Sequence, residues 1–127
     1  MIYSYTIDTP ANTSELSRIK TDLKLTAGII HKVELVFPSG CAGFLYAAIN
    51  HGLHQIWPTN PGEYFRTDGE TISFDEYYEL TSGENIITVY TYNLDETYDH
   101  ELIVRLGILK KSELQGIWLP WSEEVIL

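Results

Sequence analysis

The sequence predicts an all-β protein, an antiparallel β-sandwich that is jelly-roll-like in its use of short strands. Three observations predict it. Apolar residues recur at every second position through 29–37 and 100–108, the period of a strand with one buried face. Residues 86–92 read Ile-Ile-Thr-Val-Tyr-Thr-Tyr, all β-branched or aromatic and suited to a pleated surface. Turn-forming clusters interrupt the chain at short intervals, and roughly seven to nine strands fit between them.

The strands follow in order. Ile29, Val33, Leu35 and Phe37 share one face with His31, opposite Lys32, Glu34, Ile30 and Val36. Pro38-Ser39-Gly40 ends this strand. In 44–50, Leu45, Ala47 and Ile49 face one way and Phe44, Tyr46 and Ala48 the other. Both faces are apolar, which predicts a central position in a sheet. Residues 53–57 form a short strand stopped by Pro58, and Asn60-Pro61-Gly62 a turn. Residues 64–67 and 70–74 flank Asp68-Gly69, a pair that predicts a hairpin because both central residues accept positive φ. Residues 77–80 are a further strand, 82–85 a turn, 86–93 a strand and 95–99 an acidic loop. The clearest strand is 100–108, with His100, Leu102, Val104, Leu106 and Ile108 on one face and Glu101, Ile103 and Arg105 on the other. Helix is confined to one turn near 13–19, where Thr13 or Ser14 can cap.

At 127 residues the chain is too short for two separate cores. With 44% hydrophobic residues it can build one without metal or disulfide. Residues 1–112 read as the sandwich domain. The formal net charge is −10, from 18 acids against 8 bases. Such a field repels phosphate backbones and anionic membranes, so neither nucleic acid nor membrane is an expected partner. Cys41 is the sole cysteine; it lies in a turn and reads as a small packed residue, not a nucleophile. The amino terminus has no basic and apolar leader pattern, and no run is long enough to span a bilayer. Folding in a cytosol is the expectation.

Sites of chemistry are sparse. His51 and His54 are three apart, a spacing that sends them to opposite faces of a strand unless Gly52 bends the chain. His31 or His100 would have to supply a third ligand. Asn93, Asp95, Glu96 and Asp99 offer oxygens but lack the spacing of a calcium loop. No nucleophile elbow, phosphate loop or dinucleotide fingerprint occurs. The expectation is therefore no catalytic residue, no metal and no cofactor. Trp57, Tyr64 and Phe65, with His54, bracket the turn at 58–62. They are candidates for a ligand or partner platform able to stack on sugar rings, or for side chains that close one end of the sandwich. The last segment, 113–127, carries Ile117, Trp118, Leu119, Trp121 and Ile126. Apolar residues of this size need cover. The segment is either a last edge strand or an arm that forms a subunit interface.

Phe37-Pro38-Ser39-Gly40, Gln55-Ile56-Trp57-Pro58, the Asp68-Gly69 pair and His100 ahead of a long strand give the stretch from Ile29 to Ile108 a resemblance. It resembles small β-sandwich structural proteins of the virions of tailed viruses, the bacteriophages. The resemblance implies a jelly-roll-like homo-oligomer, a trimer, that decorates a capsid or belongs to a tail. Its partners would be itself and other virion proteins, and it would assemble in the host cytoplasm without secretion. Residues after Ser112 lie outside the resemblance. The rival expectation is a carbohydrate-binding module whose partners are glycans.

Overall fold

The strands pair symmetrically about the middle of the chain, first with last and so inward. The computed structural model describes residues 1–81 and 85–110. In it β1 (Ile2–Thr9) pairs with β8 (His100–Leu109), and β2 (Ile19–Leu25) with β7 (Asn85–Asn93). Likewise β3 (Gly28–Val36) pairs with β6 (Thr71–Leu80), and β4 (Leu45–His51) with β5 (His54–Trp57). All four pairs are antiparallel. The chain is thus one long ribbon folded back at Gly52-Leu53. Wrapping the ribbon brings β3 beside β8 and β4 beside β7. The result is two four-stranded sheets, β1-β8-β3-β6 and β2-β7-β4-β5. This is the jelly-roll arrangement expected from the sequence.

Period two fills the space between the sheets. Leu102, Val104, Leu106 and Ile108 of β8 are fully buried, as are Ile87 and Val89 of β7 and Leu45, Ala47 and Ile49 of β4. Each large side chain withdrawn from water contributes about 1.5–3 kcal/mol before ordering costs. The alternating faces of residues 100–108 and 44–50 are as expected, and β4 is interior to its sheet. The one helical element among the described residues is a three-residue 3-10 turn, Glu15–Ser17, whose preceding Ser14 makes no side-chain cap.

Four expectations need correction. On β3 the register slips between Ile30 and Lys32 against both neighbouring strands. One extra residue there reverses the phase upstream, so Ile30 joins Val33, Leu35 and Phe37 in the core cluster, and Ile29 is buried outside it. The hairpin at Asp68-Gly69 does not form. Phe65 bridges Ala47 in the second sheet, whereas Thr71 opens β6 in the first. The Asp-Gly pair lies on the crossing between sheets, where the Asp68 carboxylate accepts the backbone N–H groups of Gly40 (2.8 Å) and Ala42 (3.1 Å). Residues 71–80 are one ten-residue strand, not two shorter ones. Finally, β1 and β2 precede every strand that the sequence reading named.

Gly28 and Gly107 make the slipped register possible. A Cβ on Gly107 would stand 2.9 Å from Nε2 of His31, the extra residue of the slip. Gly28 has φ +153°, and a Cβ there would meet the Leu109 carbonyl oxygen at 2.6 Å. That atom is backbone inside a sheet and cannot step aside. Gly28→Ala should therefore lower the free energy of unfolding by at least about 2 kcal/mol, through strain and overpacking. Urea denaturation followed by circular dichroism measures it, and a change under about 0.5 kcal/mol would contradict the bulge geometry.

Candidate functional site

The outer face of the second sheet carries the most organised surface side chains. Tyr46 of β4 and Tyr92 of β7 are cross-strand partners. Their rings stack at 4.3 Å between centroids, 8° from parallel. Tyr64 stands perpendicular to both, at 6.1 Å and 5.0 Å. Two of the chain's few cations lie on this face. The Arg66 guanidinium sits 4.5 Å above the Tyr46 ring and that of Arg18 4.4 Å above Tyr90. Arg18 also donates to the Tyr64 hydroxyl at 3.0 Å. Burial, with Glu15 adding to it, pushes the Tyr92 hydroxyl up to about 12. Burial and a bond to Glu15 raise that of Tyr64. Both are neutral phenols across the physiological range.

A groove of about 650 Å³ runs beside this tyrosine cluster. The 3-10 turn forms one wall and supplies Leu16 and Arg18; the β4–β5 hairpin forms the other and supplies Asn50, Leu53 and His54; Tyr64 closes an end. Leu16 is 98% exposed and Leu53 104%. Both are held out by tight backbone: Leu16 by the 3-10 turn and Leu53 by the hairpin turn, in which Gly52 has φ +63°.

The anticipated platform is split by the fold. His54 and Tyr64 line this groove. Trp57 does not. It is 4% exposed, packs edge-on to Phe74 and Tyr78, and donates its indole N–H to Glu76 at 3.1 Å. Phe65 packs on Phe74 against the core. Trp57 follows Ile56 at the end of an edge strand, and both are drawn between the sheets. Sequence reasoning missed Leu16, Arg18, Tyr46, Tyr90, Tyr92 and Arg66. The one available signal was the spacing of Tyr90 and Tyr92, two apart on a strand whose other face is apolar. The interface candidates Ile117, Trp118, Leu119, Trp121 and Ile126 lie outside the described residues.

The histidines are dispersed in role. His51 and His54 are cross-strand partners around Gly52, not residues on opposite faces of one strand. His51 Nδ1 bonds the Tyr78 hydroxyl at 2.7 Å, and His100 Nε2 bonds Asp95 at 2.9 Å. Among the described residues no three of His, Cys, Asp and Glu converge on one point. Cys41 is buried, and burial with the nearby Asp68 and Asp95 raises its thiol pKa. It lacks the features that activate a thiolate.

The acidic stretch after β7 spends its oxygens on its own backbone. The Asn93 Nδ2 donates to the carbonyls of Thr9 (3.2 Å) and Tyr98 (2.9 Å), while its Oδ1 accepts the N–H of Asp95 (3.0 Å). One Asp95 oxygen accepts the N–H groups of Thr97 and Tyr98 and the other meets His100. Asp99 accepts the N–H of Ala11 at 2.7 Å.

Two predictions follow from that loop. Asn93 is fully buried. Asn93→Ala removes the bonds to the carbonyls of Thr9 and Tyr98 and to the N–H of Asp95 and should cost about 3 kcal/mol or more, read from denaturant unfolding. The N–H of Thr97, then His100, hold the Asp95 carboxyl below its ordinary range, as the N–H groups of Ala42 and Gly40 do for Asp68. A depressed folded pKa stabilises fully above the ordinary value of about 3.9 and is lost as pH falls through the folded one. The melting temperature of Asp95→Asn should therefore lie below that of the wild type at pH 7. The gap should close as pH falls below about 4; a constant gap down to pH 2 would remove Asp95 from this role. No protein-family model matches this chain, and a search of curated proteins finds no match.

Proposed function

We propose that this chain is a non-enzymatic assembly subunit, a decoration or tail-associated protein of a virus particle. It works through contacts between its own copies and with other virion proteins, and is assembled in the host cytoplasm. The observation that carries the reading is the pair of leucines, Leu16 and Leu53, held fully in solvent on opposite walls of one groove. Isolated exposed leucines are ordinary, but two that frame a concave surface are what a partner covers. The jelly roll is a frequent architecture of capsid proteins. Fold alone assigns no role, so the weight rests on the groove and on the resemblance of residues 29–108. The net charge of −10 keeps crowded copies soluble.

A second reading, a carbohydrate-binding module, draws on the same groove. Tyr64 offers a ring, and Asn50 and His54 offer an amide and an imidazole beside it. An aromatic surface next to planar polar groups suits a sugar ring and its hydroxyls.

Light scattering coupled to size exclusion separates the two. The assembly reading expects a defined oligomer, a trimer with three times the chain mass of 14.5 kDa, whose mass persists at high salt. A monomer retarded on immobilised polysaccharide, with retardation lost in Tyr64→Ala, would replace assembly with glycan binding.

A further inference from the structure

We infer that the groove between Leu16 and Leu53 receives the apolar segment 113–127 of a second copy of this chain. The inference rests on the assembly reading and names its contact.

Topology brings the Leu53 rim of the groove to the end from which the chain leaves β8, and the groove runs from there toward Leu16, near the end where Thr13 bridges Asn93. β8 finishes where Leu109 pairs with Ile29. The link at Thr26-Ala27 joins β2 to β3 beside it, so both sheets share that end. On the second sheet, Leu25 pairs with Asn85, and His51 pairs with Ile87, two residues along. The Gly52-Leu53 turn therefore caps the end from which the chain leaves β8. Beyond Lys110 run 17 further residues. At roughly 3.3 Å per residue they span about 55 Å when extended, against a spacing of about 10 Å between packed sheets. Reach does not limit the contact.

The chemistry of the two parts matches. The segment carries Ile117, Trp118, Leu119 and Trp121, followed after Ser122 by Glu123 and Glu124. Proline at 120 is a residue type that disfavours helix. The groove offers Leu16 and Leu53 to the apolar side chains, and Arg18 and His54 to the acids. In a chain with 18 acids against 8 bases, the groove has one acid, Glu15, balanced by Arg18. It is a place where an acidic segment of a like-charged copy is not repelled. Because each copy carries both a groove and a segment, copies arranged about a rotation axis can each give and receive one. Each contact tethers the next and raises its effective concentration.

The test uses full-length chains. Leu53→Cys and Trp118→Cys variants are co-expressed and mildly oxidised; the native Cys41 is buried and does not compete. The expected product is a disulfide-linked pair joining one chain of each variant. A Leu53→Cys, Trp118→Cys double variant that links only within one chain would show docking in cis and overturn the inference. Absence of any link in a sample that remains oligomeric would overturn it while leaving assembly intact. A monomer at every concentration would end both. Leu16→Glu with Leu53→Glu gives the second measurement. Both positions are exposed, so circular dichroism should not change, and the oligomer should dissociate at a concentration at least ten-fold higher. An unchanged mass combined with lost retention on polysaccharide would make the groove a glycan site instead.

Discussion

The buried carboxamide of Asn93 is the constraint on which the arrangement of the groove depends. It ends β7 inside the protein, where its polar atoms have no access to water. It must find partners locally, and it takes them from β1 through Thr9 and from the acidic loop through Asp95 and Tyr98. Its backbone makes a two-way bridge with Thr13. Beside it the Thr9 hydroxyl donates to that of Thr91 at 2.8 Å, a buried polar link between the two sheets. Hydrogen bonds of this kind add only about 1 kcal/mol each when made but cost more when broken. Their larger effect is on position. Thr13 is pinned, so the 3-10 turn two residues later is pinned, and with it Leu16 and Arg18 on the groove wall.

Arg18 and Arg66 show how the same surface is kept orderly. A cation on this strongly acidic chain has many carboxylates to attract it. Both arginines instead lie over tyrosine rings. An exposed cation over a ring is worth about 0.5–1 kcal/mol, comparable to a surface ion pair. Here it also fixes direction, because Arg18 in addition bonds the Tyr64 hydroxyl. Tyr64 then braces the Tyr46–Tyr92 stack edge-on. Of this cluster Tyr64 and Arg18 line the groove, between the exposed leucines, and the stack and Arg66 stand beside them. Rigid rings lose little entropy on contact, which favours recognition over mere stickiness.

The parts of this fold that a one-dimensional pattern encodes were legible. Residues 100–108 and 86–93 alternate or saturate as strands because their neighbours on both sides are set by period alone. β2 was equally legible in principle: Lys20, Asp22 and Lys24 alternate with Thr21, Leu23 and Leu25. β1 is legible in the same way, Tyr3, Tyr5 and Ile7 alternating with Ser4, Thr6 and Asp8. What no local pattern carries is the non-local part. The phase slip at His31 answers to Gly107, which is distant in sequence. Asp68-Gly69 has the composition of a hairpin, but Asp68 is claimed by the loop at 40–42. Trp57 looked like a platform because its flanks are turns, yet the side chain turns inward toward Glu76 and Tyr78 on the other sheet. The groove itself joins residues from 15–18, 50–55 and 61–64, which only the wrapping of the ribbon brings together.

The defended edges of the two sheets bear on how copies can meet. A jelly roll has four edge strands, here β1 and β6 of one sheet and β2 and β5 of the other. Edge strands invite pairing with another chain unless charge or shortness blocks it. β6 is the longest edge and carries exposed Asp75, Glu76 and Glu79; a second β6 laid against it would bring like charges together. β5 has only four residues. β2 alternates Lys20, Asp22 and Lys24 on its exposed side, and β1 exposes Ser4, Thr6 and Asp8. Lateral pairing of copies is thus opposed by charge on the long acidic edge and by shortness on β5. The end of the sandwich is different. There the chain leaves β8, the hairpin holds Leu53 in solvent, and the local charge is balanced. Association through that end would demand no exposed backbone, only apolar contact within a preformed groove, and would leave the acidic flanks facing water.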